Sequence, residues 1–221
     1  APSCGRGEQQ PLAFGDPVPL CVFLSTKPQK RMVFSVKVEE YAELLLEGSH
    51  RLLHANQTLP VHAWIAAPHS GPAHPLDCAS SSGTDQRGSA VSCPQIYATK
   101  SHVIRFANIV VNLRNGNISS FAWDNGCAGC GTPSCMYGSR RLDSATGAGA
   151  GGRFDQGTCG QELSQCASNA CDLKIFVTWA GTDRNGRNAA SAGLRLSKFS
   201  GFSLGSLYET MSHTYKETVS R

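Results

Sequence analysis

Ten cysteines in 221 residues constrain this chain more than any other feature of it. Six of them, Cys127, Cys130, Cys135, Cys159, Cys166 and Cys171, crowd a stretch with few large apolar side chains. Such a stretch cannot bury a core of its own, so cross-links must order it. The others, Cys4, Cys21, Cys78 and Cys93, precede it. An even count at this density predicts disulfides at all ten positions and an oxidising compartment. Local pairing would tie Cys4 to Cys21 and Cys78 to Cys93, but ten cysteines admit on the order of a thousand connectivities. Two N-x-[ST] sequons, at Asn56 and Asn117, predict N-glycans and point to the same secretory route. The opening Ala1-Pro2-Ser3-Cys4 reads as a mature end left by signal cleavage. A membrane anchor beyond Arg221 is compatible with this reading.

Between the cysteines the sequence alternates. Met32, Phe34, Val36 and Val38 share one face of an extended segment, and Leu173, Ile175, Val177 and Trp179 share one face of another. Leu20–Ser25, Val61–Ala66, Val103–Leu113, Ile118–Trp123 and Gly193–Phe199 add further strand candidates rich in Val, Ile, Phe and Trp. Asn115-Gly116 is placed to close a hairpin between two of them, and Asn185-Gly186 a second, longer loop. Helix is expected over Glu39–Leu46 and Gly205–Thr214, while His50–His54, despite its i, i+4 histidines, reads equally as an extended loop segment. The prediction is an all-β fold: one disulfide-stapled antiparallel β-sandwich over 1–221, with 127–171 as a disulfide-knotted loop insertion projecting from one end. Charged residues are 16% of the chain, too many apolar groups accompany them for disorder, and a net charge of +4 is too small and scattered for nucleic acid.

Candidate chemistry is thin. Cys127-Ala128-Gly129-Cys130 is a C-x-x-C, but no helix start follows to lower a thiol pKa. Zinc held by that pair with Cys166 and Cys171 is the competing assignment, and structural disulfides are preferred. Gly201-Phe202-Ser203-Leu204-Gly205 matches G-x-S-x-G, yet only Glu209 and His213 follow and no parallel sheet is expected to carry a nucleophile elbow. His50 and His54 are four apart without an H-E-x-x-H, and His69 and His74 flank a Gly-Pro. The Gly147–Gly152 run lacks the Lys of a phosphate loop, and Asp183-Arg184-Asn185-Gly186 lacks the alternating acids of a calcium loop. Trp64, Trp123 and Trp179 fall on strand candidates, as core or as a glycan-stacking surface. No nucleophile, base and oxyanion donors assemble, so no catalytic residue, metal or cofactor is expected.

Phe121-Ala122-Trp123-Asp124-Asn125-Gly126-Cys127-Ala128-Gly129-Cys130 and Asp172-Leu173-Lys174-Ile175-Phe176-Val177-Thr178-Trp179-Ala180-Gly181-Thr182-Asp183 resemble cysteine-rich ectodomains of green-algal and plant single-pass surface proteins, such as the polycystin-interacting kind on algal cilia. The resemblance covers about a third of the chain and carries no catalytic motif. It implies an extracellular, ciliary or other cell-surface module that assembles with another surface protein, a membrane channel or an extracellular filament. From the residues themselves the docking face is expected on the cysteine-rich insertion, through Tyr137, Arg140 and Arg141. A secreted glycan-binding lectin or hydrolase is the alternative.

Overall fold

The computed structural model describes residues 10–54, 60–67, 82–84, 90–123, 135–138, 154–166 and 169–191. In chain order these form β1 (Pro17–Leu24), β2 (Lys30–Lys37), β3 (Ala42–Leu45), α1 (Ser49–His54), β4 (Val61–Ala66), β5 (Ser82–Thr84), β6 (Ala90–Ser92), β7 (Gln95–Ala98), β8 (His102–Val103), β9 (Phe106–Arg114), β10 (Asn117–Trp123), β11 (Cys135–Gly138), β12 (Phe154–Cys159), β13 (Gln161–Glu162), β14 (Lys174–Thr182) and β15 (Asn188–Ala189). The fold is all-β. An eight-stranded sheet runs β13-β8-β7-β4-β1-β2, with β6 on β4 and β5 on β6. A five-stranded sheet runs β10-β9-β14-β15, with β3 also on β14. β11 and β12 make a separate pair.

The predicted alternation explains the layers. On β1, Val18, Leu20, Val22 and Leu24 enter the main core, where they meet Ile109, Val111, Ile175, Val177 and Trp179 of the smaller sheet. Met32, Phe34 and Val36 of β2 lie on that same face. The opposite face of the larger sheet carries a second apolar cluster, Cys21, Phe23, Trp64, Ala66 and Val91, with Phe23 and Trp64 stacked at 5.5 Å. β1 is therefore apolar on both sides, and its near-continuous hydrophobic run follows from that.

One pairing is parallel: β14 runs beside β9 from Lys174↔Phe106 to Gly181↔Leu113. The other described pairings are antiparallel, such as β1 with β2 and β3 with β14. A parallel pair needs a long crossover connection, and the cysteine-rich segment lies within it. That segment is not wholly an excursion. β11 pairs with β12 apart from both sheets, but β13 joins the edge of the larger sheet at β8, and Cys166 and Cys171 are buried in the main core.

Several expectations need correction. The helix expected over Glu39–Leu46 is instead a turn and β3. Leu44 and Leu46 point into the core while Glu43 and Leu45 point out, a period of two hidden by three consecutive leucines. Of the two readings left open for His50–His54, the extended one fails: the segment is the helix α1. The single strand expected over Val103–Leu113 is two: β8 belongs to the larger sheet and β9 to the smaller, so the chain changes sheets at Ile104-Arg105. Gly193–Phe199 and Gly205–Thr214 lie outside the described residues.

Both Asn-Gly pairs close hairpins. Asn115 and Gly116 have φ of 50° and 78°, as a type I′ turn between β9 and β10 requires. Asp183–Arg187 joins β14 to β15.

Candidate functional site

The densest polar arrangement among the described residues is built around Asp172, the residue before Leu173 at the entrance to β14. Its carboxylate reaches the start of α1, which is more than a hundred residues away in sequence. Oδ2 accepts the Gly48 backbone N–H at 3.0 Å, and Oδ1 accepts the His50 backbone N–H at 2.9 Å. The carboxylate thus satisfies amides that a helix start leaves open. Gly48 sits at φ 71°, which an L side chain adopts only with strain. His50 Nδ1 lies 2.7 Å from Oδ1, so that ring nitrogen carries the proton and donates it. Ser49 Oγ donates to the same oxygen at 3.3 Å and accepts the Leu173 N–H at 2.9 Å. The Tyr97 hydroxyl lies 3.1 Å from both Ser49 Oγ and the Cys171 carbonyl, and its one proton serves one acceptor at a time.

Burial by itself pushes the Asp172 carboxyl up. The hydrogen bonds from His50 and Gly48, with the His50 charge, outweigh it and hold the group below the usual carboxylate range. Burial, followed by the Asp172 charge, pushes the Tyr97 hydroxyl well up, against the opposing Ser49 bond, so it stays protonated.

A His–Asp pair beside a serine invites comparison with a hydrolase triad, and the geometry answers it. Ser49 is fully buried, and its oxygen is held by Asp172 and Leu173 rather than by imidazole. A nucleophile would have to sit on the far ring nitrogen of His50, and no hydroxyl or thiol among the described residues does so. The cluster joins α1, Tyr97 and the disulfide segment, a structural role.

A second feature lies on the face of the smaller sheet turned away from the core. The rings of Tyr41 and Phe176 stack at 5.7 Å, and those of Phe106 and Phe176 at 6.2 Å. The Arg105 guanidinium lies 5.0 Å from the Phe106 ring centroid, and its Nη1 donates to Gln161 Oε1 at 2.7 Å. Beside the row, Lys174 Nζ is 2.9 Å from Glu43 Oε1. Backbone register fixes these positions, since Phe176 faces Glu43 on β3 and Asn108 on β9. Each ring pair contributes about 0.5–1.5 kcal/mol beyond its buried area.

The predicted residues divide unevenly. Cys166 and Cys171 form a disulfide with their Cα atoms 5.4 Å apart, which removes both from the zinc set. Cys21, Cys93 and Cys159 are also disulfide-bonded, and no cysteine among the described residues is free. The backbone places Cys135 opposite Cys159. Cys4, Cys78, Cys127 and Cys130 lie outside the described residues, as do Asn56, Arg140, Arg141, His69, His74, Ser203, Glu209 and His213. Tyr137 is on β11, and only its backbone is described. Asn117 is exposed at the first position of β10, while Ser119 Oγ donates to the Asn112 carbonyl at 3.0 Å. Asp183 organises a turn rather than a calcium loop: Oδ1 accepts the Asn185 and Arg187 amides at 2.8 Å each, and Oδ2 accepts that of Phe14 at 3.3 Å. Trp64 and Trp179 are buried, and the half-buried Trp123 donates to the Cys93 carbonyl at 2.6 Å.

Sequence reasoning missed His50 and Asp172 as a pair, together with Tyr97, Tyr41, Phe106 and Arg105. The only sequence signal was a lone acid directly after a cysteine at the head of an apolar strand. A family model described as "Uncharacterised protein DDB_G0273449" matches residues 90–211, which contain β9, β10, β14 and Asp172 but not Ser49 or His50. No curated protein and no solved structure matches the chain.

Proposed function

The chain belongs to the DDB_G0273449 family, and we propose that it is a non-enzymatic extracellular interaction module, the ectodomain of a cell-surface glycoprotein. Its partner class is another surface protein, a membrane channel or an extracellular filament, and the ciliary membrane is one setting for it. The observation that supports this reading is the state of the sulfur: Cys21, Cys93, Cys159, Cys166 and Cys171 are all disulfide-bonded. Cytosolic reductants keep thiols reduced, so a frame built this way belongs to an oxidising compartment. Cross-links also reduce the freedom lost when a surface docks.

Two alternatives keep a specific observation each. A lectin would use the half-buried rings of Tyr41 and Phe106 on either side of the buried Phe176, and a hydrolase would use the His50–Asp172 pair. Material secreted from a eukaryotic host, applied to a glycan array and to ester and glycoside substrates, separates the three. The module predicts an N-glycan on Asn117, no turnover and no glycan signal. Turnover abolished by His50→Gln, or glycan binding abolished by Phe106→Ala, would replace it with the corresponding alternative.

A further inference from the structure

Among the described residues the larger sheet ends at β2, and the hydrogen-bonding pattern shows which of its groups face outward. In an antiparallel pair each residue turns both its N–H and its C=O to one side. The Ser25 amide donates to His62, on the β4 side of β1, so the odd-numbered residues of β1 face β4. The even-numbered ones therefore face β2. Pro17 and Pro19, which have no N–H to give, fall among the odd set. The Val38 amide, donating to the Asp16 carbonyl, extends the even pattern past the strand end. With the register Val18↔Val36, Leu20↔Phe34 and Val22↔Met32, the inward-bonding residues of β2 are even. The N–H groups of Arg31, Val33, Ser35 and Lys37 then point away from the sheet, with the carbonyls of Arg31, Val33 and Ser35. The Lys37 carbonyl is taken by the Glu40 amide at 3.2 Å.

Charge decides what this edge can accept. The strand Lys-Arg-Met-Val-Phe-Ser-Val-Lys carries three cations and no acid. Arg31, Ser35 and Lys37 are exposed, and Lys37 has only a surface contact with Glu40 at 3.3 Å. Cations on an edge strand usually guard against self-association. Here they do so by register: two copies of β2 paired antiparallel about Phe34 would set Arg31 against Lys37 at both ends. The same positions attract an extended segment whose acids fall opposite Arg31 and Lys37, with β-branched residues opposite Val33 and Ser35.

We propose that β2 is a docking edge for an acidic, extended peptide segment of the partner, which joins the larger sheet as an added antiparallel strand. Main-chain hydrogen bonds to the outward groups hold the segment, and its spaced acids set the register. The biological setting rests on the interaction module proposed above, but the edge can fail while the module stands.

The probe is a synthetic peptide of alternating threonine and valine with glutamates at the two positions facing Arg31 and Lys37. It is added to the full isotope-labelled chain, and amide hydrogen exchange is read by residue. Protection is expected at Arg31, Val33, Ser35 and Lys37, with none from a peptide carrying lysines in place of the glutamates. Ser35→Pro deletes an outward donor without touching a bond to β1 and should weaken binding about tenfold. The double variant Arg31→Glu with Lys37→Glu, at two exposed positions, should exchange preference for the lysine peptide. Binding without amide protection at β2, no binding by the glutamate peptide, or dimerisation of the chain through β2 would each overturn the proposal. A surface partner captured through another face, with the β2 amides unprotected, would overturn the edge alone and leave the module intact.

Discussion

Asp172 gathers four hydrogen bonds on one carboxylate, from a segment more than 120 residues away. It accepts bonds from the backbone of Gly48 and from the backbone and ring of His50, and it positions Ser49 beneath Tyr97. Asp172→Asn keeps the shape and removes the charge. It should cost about 2–3 kcal/mol in a urea titration, because charge-assisted bonds are lost and buried donors are left poorly paired. The acid response has a definite sign. Against the opposing pull of burial, hydrogen bonds hold Asp172 and Asp183 below the usual carboxylate range in the fold. Their stabilisation is complete above the unfolded value of about 4 and is lost as pH falls through the lower folded values. His62 adds an earlier loss. Burial lowers its pKa, so the unfolded chain takes up the proton first as pH falls below about 6.5. Urea midpoints between neutral and acid pH should fall in that order, and Asp172→Asn should flatten the lower limb. The Asp172 pairing was not legible in advance, although the turn at Asp183 was. A carboxylate bonded across 122 residues leaves no local pattern, and His50 drew notice only for its spacing from His54.

At the scale of elements, the two glycines at positive φ on β14 and in its hairpin loop separate two kinds of constraint. Gly181 has φ of +90°, and a Cβ there would overlap the carbonyl of Leu113 on the parallel neighbour β9. Gly186 has φ of +77° but opens onto free space. Gly186→Ala should therefore cost only backbone strain, about 1–2 kcal/mol. Gly181→Ala should cost about 3 kcal/mol or more, because the β14–β9 pairing must also shift. The difference between their urea unfolding free energies measures how tightly the two strands are seated. Elements with one buried face were readable in the sequence, among them β2 and β10, and so was β4, an apolar run buried on both faces. β3 was not, since Leu44-Leu45-Leu46 carries helix propensity and only the unpaired edge of β14 makes it a strand. Nor was the break at Ile104-Arg105, because the apolar pattern continues across the change of sheet. The register of β11 and β12 supplies a prediction that spacing alone could not. Cys135 stands opposite Cys159, which is disulfide-bonded, so peptide mapping without reduction should link those two. The same map should link Cys166 to Cys171.

For the whole molecule, the all-β sandwich followed from alternation and turn chemistry, whereas the parallel pairing of β9 and β14 did not. Alternating segments specify faces, not neighbours. The long cysteine-rich connection, read as a pendant insertion, is also what permits that parallel neighbour. Its last part returns to the core through Cys166 and Cys171, so the disulfide segment and the sandwich share one interior. Of the candidate site, the described cysteines and the exposed Asn117 were visible in the sequence. The aromatic row, the Asp172 cluster and the cationic edge needed the register of strands far apart in the chain. The account as a whole depends on sulfur being structural. Mass spectrometry of the natively folded, deglycosylated chain after alkylation without reductant tests that most directly. The prediction is no label on Cys21, Cys93, Cys159, Cys166 or Cys171 and no bound metal; label at any of these positions, or one zinc ion per chain, would contradict it.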